Sequence, residues 1–385
     1  MGRFADVLAG PGLAAIAEVK RRSPSSGDLR PDADAAALAT AFERSGAAAV
    51  SILVDERFGG AWDDLSAARA AARIPLLAKG FFGEDADVAT AQAHGADAVL
   101  LLLRDLDDRA AARLLATARR LGLDALVEAH DAAELDRALA LGAAVIGINA
   151  RNLNTFEIDR DAQLQLVARA PRDRVVIAES GIACRAHGAA AELAGADAIL
   201  VGSTLMRAPD PGAELADLLA RPLVKVCGLT RAEDVEAAAD AGADLAGFVL
   251  AESPRRATKP LPVPDTMLSV AVFVGERDEV GTDLIQFYDE EEGHRARDGV
   301  LLRDTEEVAR VVDLPWLADD ETHLGRAAAA AEHGRVVLAG GLAPENVRGA
   351  IDVARPWCVD ASRSLERTPG TKDHARIRAF VEAAR

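Results

Sequence analysis

Short runs of aliphatic and β-branched residues alternate along the first half of the chain with alanine-rich, charge-bearing segments. Segments such as 107–121 and 132–141 repeat their apolar residues at helical spacing, which predicts amphipathic helices between buried strands. Eight strands that alternate with helices are typical of a parallel α/β barrel. The predicted strands of this half are 14–19, 48–53, 75–78, 98–103, 125–127, 145–148, 175–178 and 198–201.

The alternation stops at 218–222, where helical spacing ends and Pro222 precedes a new apolar run, and it then restarts. We therefore predict an α/β fold of two tandem (β/α)8 TIM barrels, residues 1–220 and 221–385, the second with a shortened, weakly patterned middle. A Gly-Ala-Asp phrase at 95–97, 195–197 and 242–244 precedes apolar runs, as in repeated βα units. The predicted strands of the second half are 223–226, 246–250, 269–274, 283–287, 300–302, 315–318, 336–339 and 357–359.

The composition narrows the classes of function. The chain carries 44 Lys and Arg against 62 Asp and Glu, and such an acidic protein is not expected to bind nucleic acid. Three scattered cysteines indicate a reducing compartment, and no apolar run is long enough to predict a membrane span. The first residues lack the apolar core of a secretion signal, so we expect a cytoplasmic location.

The sequence contains no pattern that predicts a bound cofactor. The seven histidines have no ligand spacing, and neither a Walker-type loop nor a Rossmann fingerprint occurs. We therefore expect no metal and no organic cofactor, and the sequence does not identify a protein partner.

Polar residues cluster where the predicted strands of the first half end, which is the edge at which barrel active sites form. Any one of them would most simply be a solvated loop charge. Lysines and glutamates that converge on one barrel mouth instead favour acid–base chemistry on a charged substrate. These residues are Glu18, Lys20, Lys79, Glu128, Asn149, Arg151 and Glu179. Ser180-Gly181 and Gly202-Ser203 follow strands seven and eight, where barrels commonly bind phosphate through backbone N–H groups.

The segments that carry these residues resemble the signature segments of indole-3-glycerol-phosphate synthases, in that family's order and over nearly all of residues 1–220. They are Glu18-Val-Lys-Arg-Arg-Ser-Pro-Ser, Leu126-Val-Glu-Ala-His, Ile148-Asn-Ala-Arg-Asn-Leu, Ala178-Glu-Ser-Gly-Ile and Leu200-Val-Gly-Ser. The resemblance implies that a carboxyphenylamino-deoxyribulose phosphate undergoes ring closure, decarboxylation and dehydration to indole glycerol phosphate.

The resemblance also implies a role for each residue of this mouth. Lys79 is the general acid, Lys20 holds the substrate carboxylate, and Glu128 is the base or a second acid. Glu18, Asn149 and Glu179 orient these groups. The implied substrate- and phosphate-binding residues are Ser23, Arg151, Ser180, Gly181, Gly202 and Ser203. The ammonium of Lys79, desolvated beside carboxylates, is expected to have a pKa tuned for acid catalysis near neutrality.

The second half resembles phosphoribosylanthranilate isomerases, again in order. The matching segments are Val224-Lys-Val-Cys-Gly-Leu-Thr-Arg, Ser253-Pro-Arg-Arg, Ala271-Val-Phe-Val, Leu338-Ala-Gly-Gly-Leu-Ala-Pro-Glu-Asn-Val and Pro369-Gly-Thr-Lys-Asp. The resemblance implies an Amadori rearrangement with Cys227 as the base and an Asp after strand six as the acid. We predict Asp319 for the acid, with Asp313 and Asp320 as alternatives. The implied substrate- and phosphate-binding residues are Arg255, Gly340, Gly341, Ser362 and Arg363.

Both halves depart from the patterns they resemble. Gly80 follows Lys79 where synthases usually have Asp, and only a dozen residues precede strand one, with Phe4 as the remnant of a longer extension. In the second half, Gln286-Phe-Tyr-Asp replaces Gln-Leu-His-Gly, the glycine-rich loop after the acid is absent, and Arg363-Ser364 replaces Ser-Gly. Arg363 is a charged substitute for lost backbone phosphate donors, or the mark of a decayed site.

Three hypotheses follow for the whole chain. The first is a bifunctional enzyme of tryptophan biosynthesis acting on small phosphorylated substrates. The second is a synthase whose C-terminal barrel is a structural or partner-binding module. The third is that both barrels serve another phosphosugar reaction, since a barrel by itself does not specify its chemistry.

Overall fold

The computed structural model of the protein describes residues 2–23, 27–152, 155–291, 294–314 and 320–385. It divides into two compact units, Met1–Leu219 and Ala220–Arg385. Each unit is a closed barrel of eight strands, which confirms the predicted fold class. The division falls one residue before the boundary expected from the sequence.

The first barrel is parallel throughout, with each strand beside the next one in the chain and the last beside the first. Its strands are β1 (Ala14–Val19), β2 (Ala49–Leu53), β3 (Leu76–Lys79), β4 (Ala98–Leu102), β5 (Asp124–Ala129), β6 (Val145–Asn149), β7 (Val175–Glu179) and β8 (Ala198–Val201). All carboxyl ends therefore meet at one rim, as the polar residues at the strand ends predicted.

Amphipathic helices surround this barrel. In the helix Asp108–Arg120, the side chains of Ala111, Leu114 and Ala118 are buried at helical spacing against the strands. The helices are α1 (Arg3–Leu8), α2 (Ala35–Arg44), α3 (Trp62–Ala71), α4 (Asp85–Ala93), α5 (Asp108–Arg120), α6 (Ala132–Ala140), α7 (Arg160–Arg169), α8 (Arg185–Ala194), α9 (Ser203–Arg207) and α10 (Pro211–Leu219).

Helix α1 closes the amino-terminal end of the barrel, opposite the rim that carries the polar cluster. Phe4 and Leu8 are fully buried in the core cluster that contains the inward side chains of the strands. The carboxylate of Asp124, at the start of β5, accepts hydrogen bonds from the backbone N–H groups of Gly2 and Ala5 at 2.9 and 3.0 Å. Phe4 thus belongs to a short plug held by a side chain that caps its first turn.

The second barrel is also closed, but its fifth strand runs against the others. Its strands are β9 (Leu223–Cys227), β10 (Leu245–Val249), β11 (Leu268–Val274), β12 (Leu284–Tyr288), β13 (Gly299–Arg303), β14 (Glu306–Val312), β15 (Val336–Leu338) and β16 (Cys358–Ala361). Strand β13 pairs antiparallel with both β12 and β14. The turn between Arg303 and Glu306 is too short for the crossover helix that parallel pairing requires.

Two consecutive reversals restore the common direction by β14, which pairs parallel with β15. The carboxyl end of this sixth strand is therefore at the same rim as Cys227. The strand predicted at 315–318 lies outside the described residues, and the sixth strand of the barrel is Glu306–Val312 instead.

The helices of this unit are α11 (Ala232–Asp240), α12 (His323–Ala331), α13 (Val347–Ala354) and α14 (His374–Ala384). Between β10 and β14, the described residues form no α-helix, so the shortened middle lacks part of the outer layer. In the part of the chain that the structure describes, no helix is long and apolar enough to cross a bilayer.

Candidate functional site

Lys79, the last residue of β3, lies between two carboxylates at the rim of the first barrel. Its Nζ is 2.8 Å from Oε2 of Glu179 and 3.2 Å from Oε1 of Glu18. The other oxygen of Glu18 accepts a hydrogen bond from Nζ of Lys20 at 2.6 Å. Strands β1, β3 and β7 thus bring four of the predicted residues into one cluster, in which both glutamates are buried.

These carboxylates occupy space that is free only because two neighbouring residues are glycines without a Cβ. A Cβ at Gly147 in β6 would be 2.0 Å from Oε1 of Glu179, and a Cβ at Gly202 would be 2.2 Å from Oε2 of Glu18. Neither position has a left-handed backbone, so the need for glycine comes from close approach. Oε1 of Glu179 has no hydrogen-bond partner among the described residues.

The electrostatics of the cluster favour a charged Lys79. Burial acts to raise the pKa of Glu18, but Lys20 and Lys79 outweigh it and lower that pKa to about 2. Burial acts to lower the pKa of Lys79, but Glu179, Glu18 and Glu128 outweigh it and raise that pKa. The expectation that Lys79 is tuned towards neutrality is wrong for this arrangement. Burial raises the pKa of Glu179, and the charges of Glu128 and Glu18 add to this, against the opposing effect of Lys79.

Glu128, near the end of β5, forms the second part of the site. Its Oε1 accepts a hydrogen bond from the amide of Asn149 at 2.8 Å and lies 3.1 Å from Nε2 of His130. Asn149 in turn accepts from the backbone N–H of Arg151 at 2.9 Å. Lys79 also acts on Glu128 electrostatically, so the two parts are one site. His130 stood within a quoted signature segment, but the sequence assigned it no role.

The loops after β7 and β8 carry the residues that we predicted to bind phosphate. Ser180 and Gly181 both have positive φ angles, 68° and 74°, and Gly202 precedes the short helix α9 that begins at Ser203. The hydroxyl of Thr204 donates to the carbonyl of Ile182 at 2.7 Å and links the two loops. Ser23 is buried in a two-residue strand just after β1.

An aromatic group at the same rim was missed from the sequence. Phe81, in the loop after β3, is 45% exposed, and its ring lies 6.3 Å from that of Phe58 in the loop after β2. The guanidinium of Arg57 lies 3.8 Å from the Phe81 ring. The loops after β2 and β3 therefore contribute an aromatic pair at the rim where β3 ends with Lys79. Single aromatic residues in loops carry no periodicity, so no pattern pointed to them.

In the second barrel, a chain of polar side chains crosses the rim. Lys225 in β9 pairs with Asp360 at 2.6 Å and donates to Oε1 of Gln286 at 2.9 Å. Gln286 donates to the hydroxyl of Tyr288 at 2.7 Å, and that hydroxyl donates to Oδ2 of Asp313 at 2.7 Å. Lys225 interrupts an otherwise apolar strand, and this break in the hydrophobic pattern is the signal by which the sequence could have indicated a polar group inside the barrel.

Asp313 follows β14 directly and is therefore the Asp at the end of strand six. It accepts from Arg295 at 2.7 Å as well as from Tyr288, and the Arg295 guanidinium lies 4.3 Å from the Tyr288 ring. Asp319, the predicted acid, lies outside the described residues. Asp320 forms an ion pair with Arg297 at 2.8 Å.

Cys227 ends β9 and is buried beside Lys225. Burial raises the pKa of its thiol, and Lys225 opposes that shift. Across the rim, the guanidinium of Arg255 binds Glu366 at 2.8 Å, and Nζ of Lys372 lies 3.1 Å from the same carboxylate. Arg255, which we predicted to hold the substrate carboxylate, is thus held in a fixed position by the carboxylate of Glu366.

Cys227, Arg255 and Asp313 line one cavity of about 940 Å³. Gly340 and Gly341, after β15, have positive φ angles of 89° and 70°, and Ser362 and Arg363 follow β16. The predicted residues that line the cavity are Cys227, Arg255, Asp313, Gly340, Gly341, Ser362 and Arg363. Within the described ranges, no group of three His, Cys, Asp or Glu side chains is arranged to hold a metal ion.

Comparisons with known proteins match each unit separately. The family model for indole-3-glycerol phosphate synthase matches residues 2–218, and that for N-(5'-phosphoribosyl)anthranilate isomerase matches residues 321–383.

Curated relatives and solved structures are similar to the two parts of the chain. The indole-3-glycerol phosphate synthase of Mycolicibacterium gilvum is 47% identical over 213 residues, 55% of this chain and 78% of the relative. Indole-3-glycerol phosphate synthase 2 of Streptomyces coelicolor is 48% identical over 217 residues, 56% of this chain and 84% of the relative. The crystal structure of phosphoribosylanthranilate isomerase from Thermotoga maritima is 27% identical and covers 43% of this chain and 98% of its own, with a TM-score of 0.34.

Proposed function

The chain belongs to the indole-3-glycerol phosphate synthase family, and from this premise we propose how its two barrels work as a bifunctional enzyme of tryptophan biosynthesis. The C-terminal barrel isomerises N-(5-phosphoribosyl)anthranilate to carboxyphenylamino-deoxyribulose phosphate. The N-terminal barrel then closes the ring, with loss of carbon dioxide and water. The observation that carries the residue assignments is the buried cluster of Lys79, Lys20 and their glutamates beside loops with phosphate-binding backbone.

In the synthase site, Lys79 contacts the substrate oxygen that receives a proton, which belongs either to the carbonyl group or to the departing hydroxyl. Its raised pKa keeps it an ammonium, so it stabilises developing negative charge and has a proton to give. Lys20, paired with Glu18, lies at the same rim and is placed to receive the substrate carboxylate. The carboxylate that the family usually carries at position 80 is not needed to keep Lys79 charged, because Glu18 and Glu179 already do so.

The aromatic group formed by Phe58 and Phe81 gives the anthranilate ring a surface to stack on. Aromatic rings prefer offset or edge contacts with centroids about 4.5–7 Å apart, and the side chain of Phe81 is exposed enough to make such a contact. Arg57 above this ring adds a positive charge near the benzoate end of the substrate.

The substrate phosphate binds at the loops after β7 and β8. Ser180, Gly181, Gly202 and Ser203 offer backbone N–H groups, and Ser23 and Arg151 close the site from the loops after β1 and β6. On a chain of net charge −18, an anion needs such local donors to overcome the surrounding repulsion.

In the isomerase site, Cys227 is the base and Asp313 takes the role of the acid. The sixth strand ends at Val312, so Asp313 occupies the position that the sequence analysis gave to Asp319. Both residues line the same cavity. Burial raises the pKa of the Cys227 thiol, and the neighbouring charge of Lys225 acts against that rise. The acid opens the sugar ring by protonating its oxygen, and the base removes the proton from C2.

Arg255, fixed by Glu366, holds the anthranilate carboxylate at one end of this cavity. Gly340, Gly341, Ser362 and Arg363 hold the phosphate at the other. The charge of Arg363 compensates for the backbone donors that a glycine-rich loop would supply. We further propose that the enzyme works in the cytoplasm and without nucleic acid.

Two separate assays on the full chain test this function. Each phosphorylated intermediate is supplied alone, and its turnover is followed in the wild type and in Lys79→Ala and Cys227→Ala. We expect Lys79→Ala to abolish ring closure and leave isomerisation, and Cys227→Ala to do the reverse, so that each variant is the folding control for the other. Ring closure without isomerisation in the wild type would instead support a structural C-terminal barrel. If neither intermediate turns over, both assignments fail.

A further inference from the structure

The imidazole of His130 lies between two carboxylates at the rim of the first barrel. Its Nδ1 is 3.0 Å from Oε2 of Glu134, and its Nε2 is 3.1 Å from Oε1 of Glu128. A neutral imidazole has one donor and one acceptor nitrogen, whereas an imidazolium has two donors. A carboxylate oxygen lies within 3.1 Å of each nitrogen, and the contact of Nε2 with Glu128 is a close approach of charges without hydrogen-bond alignment. Two carboxylates at these distances fit the positively charged, doubly protonated ring.

The chain holds this ring in place by local structure. His130 is the residue after β5, and Asp131 caps α6 by accepting from the backbone N–H of Glu134 at 2.8 Å. Oε2 of Glu134 also accepts from the backbone N–H of His130 at 2.8 Å. Glu134 therefore holds both the backbone and Nδ1 of His130, and this places Nε2 3.1 Å from Oε1 of Glu128.

We propose that His130 is a positioning residue of the synthase site, an imidazolium anchored by Glu134 that keeps Glu128 ionised as the base of the reaction. The inference rests on the proposed synthase function and deepens it, because the family resemblance left Glu128 as either a base or a second acid. The side chains act as a series, in which Glu134 orients His130 and His130 sets the charge state of Glu128.

The charges around Glu128 agree with this role. Burial acts to raise the pKa of Glu128, but His130, Lys79 and the hydrogen bond from Asn149 outweigh it and lower that pKa. Burial acts to lower the pKa of His130, but Glu128 and Glu134 outweigh it and raise that pKa to about 9. Without the imidazolium, Lys79 and Asn149 would still lower the pKa of Glu128. Burial and the nearby charge of Glu179 would raise that pKa against them.

The test is the pH dependence of kcat/KM for ring closure in His130→Asn and Glu134→Gln, measured on the full chain. A positive charge at this distance lowers a carboxyl pKa by about 1–3 units, so the acid limb should move up by roughly that amount in His130→Asn. Glu134→Gln should move it less, in the same direction. Both variants should recover activity at alkaline pH. His94→Asn is the matched control, since His94 lies elsewhere in the same barrel, bound to Ser66 at 2.8 Å.

A second measurement does not depend on turnover. The imidazole signals of the seven histidines are followed against pH by NMR, and the one lost in His130→Asn is assigned to His130. We expect that signal to stay protonated up to about pH 9 in the wild type and to titrate lower in Glu134→Gln.

Three results would decide against the proposal. A uniform loss of rate at every pH would show only a structural role, and movement of the basic limb would make Glu128 an acid. An imidazole that titrates at its ordinary value would remove the charge on which the proposal depends. An inactive wild type would refute the synthase function, and the NMR titration would then decide the inference by itself. Should His130→Asn not fold, Glu134→Gln carries the test.

Discussion

Replacing Gly147 with alanine perturbs the synthase site without removing any polar group. The added Cβ would lie 2.0 Å from Oε1 of Glu179, where real Cβ contacts essentially never fall below 3.0 Å. The carboxylate must therefore shift by about 1 Å, the difference between these two distances. Its other oxygen binds Lys79 at 2.8 Å, so the shift breaks or stretches that contact.

The size of the effect follows from the two interactions that change. A hydrogen bond to a charged group contributes about 1.5–3 kcal/mol, so its loss should lower kcat/KM for ring closure roughly 10- to 150-fold. Overpacking of a buried site should also lower the free energy of unfolding by about 1–3 kcal/mol. Isomerisation, which belongs to the other barrel, should keep its wild-type rate.

The assay compares Gly147→Ala with Gly83→Ala in the same barrel. An added Cβ at Gly83 meets no atom within 4 Å and its backbone is not left-handed, so this control should keep wild-type kinetics. Urea denaturation of both variants separates loss of stability from loss of activity. If Gly147→Ala turns over like Gly83→Ala, the close packing of Glu179 against β6 does not position Lys79, and the reasoning is refuted.

Three further outcomes are expected. Asp313→Asn should lower isomerase kcat about 10²- to 10⁴-fold while Asp320→Asn leaves it near wild type, and the reverse result in steady-state assays would move the acid to Asp320. Phe81→Ala should raise the KM for ring closure roughly 2- to 12-fold by removing a stacking partner, and an unchanged KM would exclude the aromatic surface from the substrate site. Asp124→Ala should lower the free energy of unfolding, measured in urea, by about 1 kcal/mol and should speed amide hydrogen exchange in Arg3–Leu8. Unaltered exchange would show that this helix does not need the Asp124 cap.

The strands of the first barrel were predictable because each is a buried segment bounded by polar turns. Two of them, Ala14–Val19 and Ala198–Val201, begin and end where the apolar runs do, and the others differ from the prediction by one or two residues at an end. Parallel strands buried on both faces have a continuous apolar signal, which is local and can be recognised without knowing the neighbours.

The middle of the second barrel was not predictable in this way. Strand β14 reads Glu-Glu-Val-Ala-Arg-Val-Val, with exposed charged positions among buried ones, and it begins after a turn of two residues. The chain reverses its direction before and after β13, so β13 and β14 follow one another without a helix between them. The alternation of strand and helix, on which the prediction depended, is lost there. We therefore predicted the acid at Asp319, whereas the sixth strand ends at Val312.

Sequence alone determined which polar residues stand at the ends of the strands, because the order of strands and the direction of a parallel barrel bring those ends to one rim. It could not determine which of them touch. The contacts of Lys79 with Glu179, 100 residues away, and of Asp313 with Tyr288 across the reversed strand arise only when the barrels close. The charge state of each group depends on burial and on neighbours distant in the chain, so only the tertiary structure decided that Lys79 is held as an ammonium and that His130 faces two carboxylates.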